Sequence, residues 1–298
     1  MRRVGSTAAV AKATALEMLS EPLTLLVLLA ALTLEVLAPA FHYHQFGEAT
    51  RMARDAGLSA LFTCGSVFAV FVTIRAFRRE IESGTLEMAL SHPVSRVGFF
   101  LSKTLGATLA YLLFACVLAA TALLTVEGAE IGGEIARRTG DIARIYGPCF
   151  AAGVAVMVMP LLIGAALNRF AGCRFVLSAF TVALVLSVAS AAVAAVRAPS
   201  WAWRLAPAVV LVALATFVLL SASAAFAVRF RANVAAAAVG LLVALSLPVV
   251  GNYYLADALS KGGSVPWSYV GLAALATASA VAFFLLLGVR FIEGRDVA

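Results

Sequence analysis

Phe77-Arg78-Arg79-Glu80-Ile81-Glu82-Ser83-Gly84-Thr85-Leu86-Glu87-Met88-Ala89-Leu90 is the only dense charged, amphipathic stretch in a chain of otherwise apolar segments. One apolar run, 58–74, leads into it and another, 99–126, follows it. A helix needs about 20 apolar residues to cross a bilayer. The runs on either side approach or exceed that length, so the stretch is a link between two membrane spans. A membrane protein that keeps so many charges in one short link has something to touch there.

Composition agrees with a membrane-embedded chain. Of 298 residues, 63% are hydrophobic and 12% charged, with a mean hydropathy of +1.02. Soluble domains carry about 25% charged residues. Alternating ten-residue strands of the barrel type are not evident, so the expected class is all-α, a polytopic transmembrane bundle. The net charge of +7 comes from basic residues scattered at span ends rather than gathered in a patch. That distribution fits membrane topology better than nucleic-acid binding. Cys64, Cys116, Cys149 and Cys173 show no paired spacing, and the first two lie within apolar runs as small core or lipid-facing residues. No signal peptide is expected, because Glu17 and Glu21 interrupt the basic-started amino terminus.

Eight apolar segments mark candidate spans at 22–40, 57–74, 99–126, 148–167, 175–196, 206–228, 234–250 and 267–289. A six-span alternative would make two of the later ones re-entrant or surface helices. With the amino terminus inside, fourteen Lys and Arg fall on the cytoplasmic side and eight on the other. The positive-inside bias therefore places both termini and residues 77–90 in the cytoplasm. Residues 1–21 read as an interfacial elbow helix, and 75–98 as a cytoplasmic hairpin within one transmembrane domain spanning 1–298. The connection Arg197 to Arg204, with Trp201 and Trp203, reads as an interfacial turn. The connection 127–147 reads as polar and external, with a helix-like section at 131–145.

Within the hairpin, Arg75, Arg78, Arg79 and Glu82 recur at three- and four-residue spacing, so they share one helical face. Glu82 can meet Arg78 or Arg79. Gly84 permits a turn, Thr85 can cap a second short helix carrying Leu86, Glu87, Leu90 and Ser91, and Pro93 stops it by restricting His92. Glu80 is expected to accept hydrogen bonds from nearby arginines or backbone amides. The plainer reading is a solvated loop whose charges only fix topology. Against it stands the order of helix, glycine, short helix, proline, and Ser95-Arg96 opening the next span.

The run Phe77-x-x-Glu80-x-x-x-Gly84-Thr85-Leu86-Glu87-x-x-Leu90-Ser91-x-Pro93-x-Ser95-Arg96, followed by Phe99, Lys103 and Gly106, resembles the signature of type-2 ABC exporter permeases. The likeness is nearest to the branch that includes the permease of the nitrous-oxide-reductase copper-maturation system. It covers about residues 10–125 specifically and the rest only generically, where most members have six spans and this chain offers eight segments. The resemblance implies that 77–91 is a coupling helix seated on a separate ATPase, with Phe77, Arg78, Arg79, Glu80, Gly84, Thr85, Leu86, Glu87, Leu90, Ser91 and Pro93 as its residues. Residues 12–21 resemble the family's elbow helix. It also implies two cytoplasmic ATPase subunits that bind ATP and Mg, and a second permease copy or homologue.

Other groups offer less. Glu35 lies well inside an apolar segment, where a charge is costly; it serves either a structural role, by hydrogen bonding or snorkelling, or the transport pathway. His42 and His44 lie two apart and share no helix face, so a metal site is not favoured. No catalytic set or P-loop is evident, since Gly262-Gly263-Ser264 lacks a strand–helix frame; ATP hydrolysis is expected in a partner, and no cofactor in this chain. Pro160 and Pro248 read as lying near span ends, which argues against a carrier with broken midspan helices. Small residues such as Ala213, Ala215, Ala222 and Ala225 would allow helices of two copies to approach. The expected function is an ATP-driven permease, preferentially an exporter, in a bacterial or archaeal plasma membrane. The alternatives are a channel, a secondary carrier or a membrane scaffold, and the cargo stays open.

Overall fold

The computed structural model describes residues 2–38, 49–82, 95–140, 146–197, 199–251 and 265–294. Among these the secondary structure is entirely helical. The chain runs α1 (Arg2–Leu19), α2 (Pro22–Leu37), α3 (Ala49–Val67), a π-helical turn (Phe68–Val72), α4 (Thr73–Glu82), α5 (Arg96–Thr139), α6 (Gly147–Ala171), α7 (Phe175–Arg197), α8 (Pro199–Arg229), α9 (Ala232–Gly251) and α10 (Trp267–Glu293).

The expected polytopic helical bundle is present. Among the described residues, six helices are long and apolar enough to cross a membrane, or seven if α1 and α2, bent by 59°, make one broken span. The segment expected at 22–40 gives a helix of only 16 residues. That expected at 234–250 qualifies, among the described residues, only as the short apolar helix Ala232–Leu242.

Proline chemistry sets the α1–α2 bend. Glu21 precedes Pro22 and is extended, at φ −73° and ψ 130°, because a proline ring excludes the helical region for the residue before it. Pro22 then opens α2, where a missing amide hydrogen costs nothing. The Ser20 hydroxyl donates to the Leu16 carbonyl at 2.5 Å and that of Thr24 to the Met18 carbonyl at 2.6 Å, which satisfies the frayed end of α1. The elbow is thus a real bend.

α5 is the bundle's axis. Its 44 residues extend about 66 Å at 1.5 Å per residue, twice the hydrocarbon thickness. The Ser95 hydroxyl caps its start by accepting from the Gly98 amide at 3.1 Å, and Gly140, left-handed at φ 74°, ends it. The connection expected from residue 127 is therefore helix up to Thr139. The Tyr146 amide donates to the Gly128 carbonyl, bringing the chain back alongside α5. Gly57 lets α3 close on α5, since a β-carbon there would lie 2.6 Å from Ala122 Cβ. The turn expected at 197–204 is mostly helix too, because α8 starts at Pro199. Pro160 lies in the interior of the 25-residue α6, not near its end, and the helix runs through it.

α8 packs against α10, α3, α4 and α5, and Ala222 and Ala225 are fully buried within the chain. Those two cannot face a second copy, whereas Ala213 and Ala215 of the same helix are only half-buried. Large apolar side chains remain exposed on several helices, including Val185 and Val196 of α7, Leu272, Leu275 and Leu286 of α10, and Leu105 and Leu112 of α5. Lipid or another protein must cover these, because water would not.

Candidate functional site

The charged residues of α4 meet four other elements at one end of the bundle. α4 continues the α3 rod through the π-helical turn, where Phe68 stacks on Phe114 of α5 with ring centroids 4.8 Å apart. Nearby, the hydroxyls of Tyr111 on α5 and Thr216 on α8 are hydrogen-bonded in the core. An extra residue per turn re-aims the side chains beyond it.

Beyond that turn α4 is sharply amphipathic. Phe77 and Ala76 are buried, while Arg75 and Arg79 project outward with side chains 66% exposed. Arg78 pairs with Glu82 at 2.7 Å, the contact expected from their i,i+4 spacing. Arg75 pairs with Glu21 at 2.9 Å and Arg79 with Glu17 at 3.5 Å. These two pairs form a ladder between α4 and the elbow. Arg75 and Arg79 are spaced i,i+4 and so share one face of α4, while Glu17 near the end of α1 and Glu21 in the bend meet them in turn. Pairs this exposed stabilise by about 0–1 kcal/mol each; what they fix is relative position. Sequence reading used Glu17 and Glu21 only as evidence against a signal peptide. The matched spacing was the signal that could have found the ladder.

Glu80 has a partner the sequence did not point to: its carboxylate pairs with the Lys103 ammonium of α5 at 2.5 Å. Lys103 is 1% exposed, and its nitrogen lies 5.2 Å from the Phe77 ring centroid and 5.8 Å from that of Phe99. A desolvated ammonium over aromatic faces gains cation–π attraction in addition to its counter-ion. Val228 of α8 and Ile292 of α10 close the surroundings of this pair. Arg78 also donates to the Phe230 carbonyl at 3.4 Å.

One end of the bundle therefore gathers the carboxy-terminal parts of α1, α4, α8 and α10 and the start of α5. Elements near both termini share the end that carries 77–82. The opposite end joins the starts of α3 and α6 to the later part of α5, as in the clusters Ala53–Val126–Ala129 and Leu124–Cys149–Ala194. Gly84, Thr85, Leu86, Glu87, Leu90, Ser91 and Pro93 lie outside the described residues, as do His42, His44 and His92.

Glu35 stands apart from this cluster. It is 0% exposed, and its carboxylate oxygens have no hydrogen-bond partner among the described residues. Its own turn packs on α6, where Val36 fills the space over Gly153. An unpartnered buried polar group costs about 1–3 kcal/mol in proteins. Glu35→Leu is thus expected to raise the thermal unfolding midpoint of the purified chain. A lowered or unchanged midpoint would mean that the carboxyl has a partner within the chain.

The family model described as ABC-2 family transporter protein matches residues 19–190, which include the elbow's end, α4, α5 and the charged stretch. The match is to the family as a whole and lends nothing to the copper-maturation branch. No curated protein and no solved structure matches the chain.

Proposed function

Because the chain belongs to the ABC-2 transporter family, whose members are membrane permease subunits that generally work with a cytoplasmic ATPase, we propose that its charged end receives the ATPase. The chain is the multi-pass permease subunit of a bacterial or archaeal plasma-membrane exporter. It works as a homodimer or with a homologous permease, together with two ATPase subunits that bind ATP and Mg. Phe77, Arg78, Arg79 and Glu80 anchor the coupling segment, and Gly84 to Pro93 carry its contact surface.

The observation that supports this reading is the fastening of α4 on three sides. The Arg75–Glu21 and Arg79–Glu17 ladder ties it to α1, Glu80–Lys103 ties it to α5, and Arg78 ties it to the end of α8. A push on the segment after Glu82 is delivered to all three elements together. That is what a device with two states, biased by ATP at a distance, requires. A link that only set topology would gain nothing from a buried ion pair to the next span.

Sidedness is the first test. Ser83→Cys in a cysteine-free background is expected to be shielded from an impermeant thiol reagent added outside intact cells, and labelled after permeabilisation. Labelling from outside would reverse the topology and end the coupling assignment. The second test is co-purification of a cytoplasmic ABC ATPase with this chain, with its hydrolysis measured against reconstituted permease.

A further inference from the structure

A cleft of about 630 Å³ opens between the start of α2, the π-turn and α4, and the start of α9. Its volume lies within the range of about 300–1,000 Å³ typical of small-molecule sites. Its lining is divided along the rod. Phe71 and Ile74, with Leu23 and Ala236 on the facing helices, are apolar, while Arg75, Arg78, Arg79 and Glu82 follow one to three turns further on, beside Asn233. Phe71 is 52% exposed although it lies within a spanning helix.

We propose that this cleft binds one acidic phospholipid of the bilayer, its phosphate among the arginines and its upper acyl chain along Phe71, Ile74, Leu23 and Ala236. Charge selects the head group. Three guanidinium groups line the mouth against one carboxylate, and Arg229 and Arg231 flank Phe230, whose carbonyl Arg78 already contacts. Glu17 and Glu21 each engage one of these arginines. A guanidinium has five donors, so Arg75 and Arg79, exposed as they are, keep hydrogens for a phosphate. Depth selects a lipid over a soluble anion. From Phe71 to Arg79 is eight residues, about 12 Å of helix, so the apolar and basic halves follow one another along a spanning helix in the order of a lipid's chain and head. The site touches the two arginines that hold the elbow, so an occupant there bears on the α1–α4 ladder. The proposal stands on the cleft alone and does not depend on which solute is carried.

The test uses the purified full chain, with bound lipid quantified by native mass spectrometry after exchange against phosphatidylglycerol or phosphatidylcholine of identical acyl chains. Retention of phosphatidylglycerol over phosphatidylcholine by about tenfold or more is expected, from the worth of basic residues at an anionic surface. Arg75→Gln with Arg79→Gln should lower that preference by roughly tenfold to thirtyfold. Ala236→Trp, which fills the apolar half and leaves every charge in place, should abolish retention. Inorganic phosphate should not compete at concentrations equal to the lipid. Equal retention of the two lipids, competition by phosphate alone, or undiminished retention in Ala236→Trp would each overturn the proposal. The lipid comparison and the phosphate competition use the unmutated protein, so a misfolded variant cannot obscure the result.

Discussion

Glu80→Gln is expected to destabilise the purified chain by about 3 kcal/mol, seen as a lowered thermal unfolding midpoint. The substitution leaves the Lys103 ammonium, 1% exposed, without its counter-ion. Breaking a buried pair by removing one partner costs about 3–5 kcal/mol, and the lower end applies because the Glu80 side chain keeps 29% of its exposure. Lys103→Met alone should cost less, since the carboxylate left behind can turn toward water. The double variant should be more stable than Glu80→Gln alone, because Met occupies the apolar space between Phe77 and Phe99 without a charge. Residues in direct contact give non-additive energies, and a cycle measures the coupling. Additive losses would show that the pair carries no energy of its own. Transport gives a separate reading. If the double variant regains stability but not ATP-stimulated turnover with the ATPase, the ion pair serves the linkage between α4 and α5. If it regains both, the pair only stabilises the fold, and the coupling proposal rests on the α1 ladder.

Gly106→Val is expected to drive the elbow helix off the bundle. A β-carbon at Gly106 would lie 2.3 Å from the Ala11 carbonyl oxygen and 2.8 Å from Thr14 Cβ. The first contact is with helix backbone, which cannot rotate away as a flexible side chain could. Overpacking of this kind costs about 1–3 kcal/mol, and α1 is short enough to yield as a unit. Its departure would separate Glu17 from Arg79 and Glu21 from Arg75. Trypsin cleavage after Lys12, an exposed residue of α1, should then be faster in reconstituted vesicles, and coupling to the ATPase weaker. Unchanged cleavage together with an unchanged unfolding midpoint would show that α1 does not need this close approach.

The sequence by itself determined that this is a helical membrane protein with an elbow, a charged link and a long helix opening at Ser95-Arg96. Each follows from local chemistry. An apolar run of span length has few alternatives to a membrane helix, Glu21 before Pro22 must bend, and Ser95 suits the first turn of α5. The Arg78–Glu82 pair was legible too, because both partners lie on one helix at a fixed spacing. Only the tertiary structure decided the rest. Glu80 pairs with Lys103 across to the next helix, where Phe77, Phe99 and Val228 surround the ammonium. Hydropathy marked where apolar segments lie, but it measures composition, whereas the 59° bend that divides α1 from α2 is a matter of geometry. Ala222 and Ala225 looked like outward-facing small residues and are interior ones. Small size permits close approach on any side of a helix, and which side is taken is set by the neighbours that α8 meets, which no local pattern records.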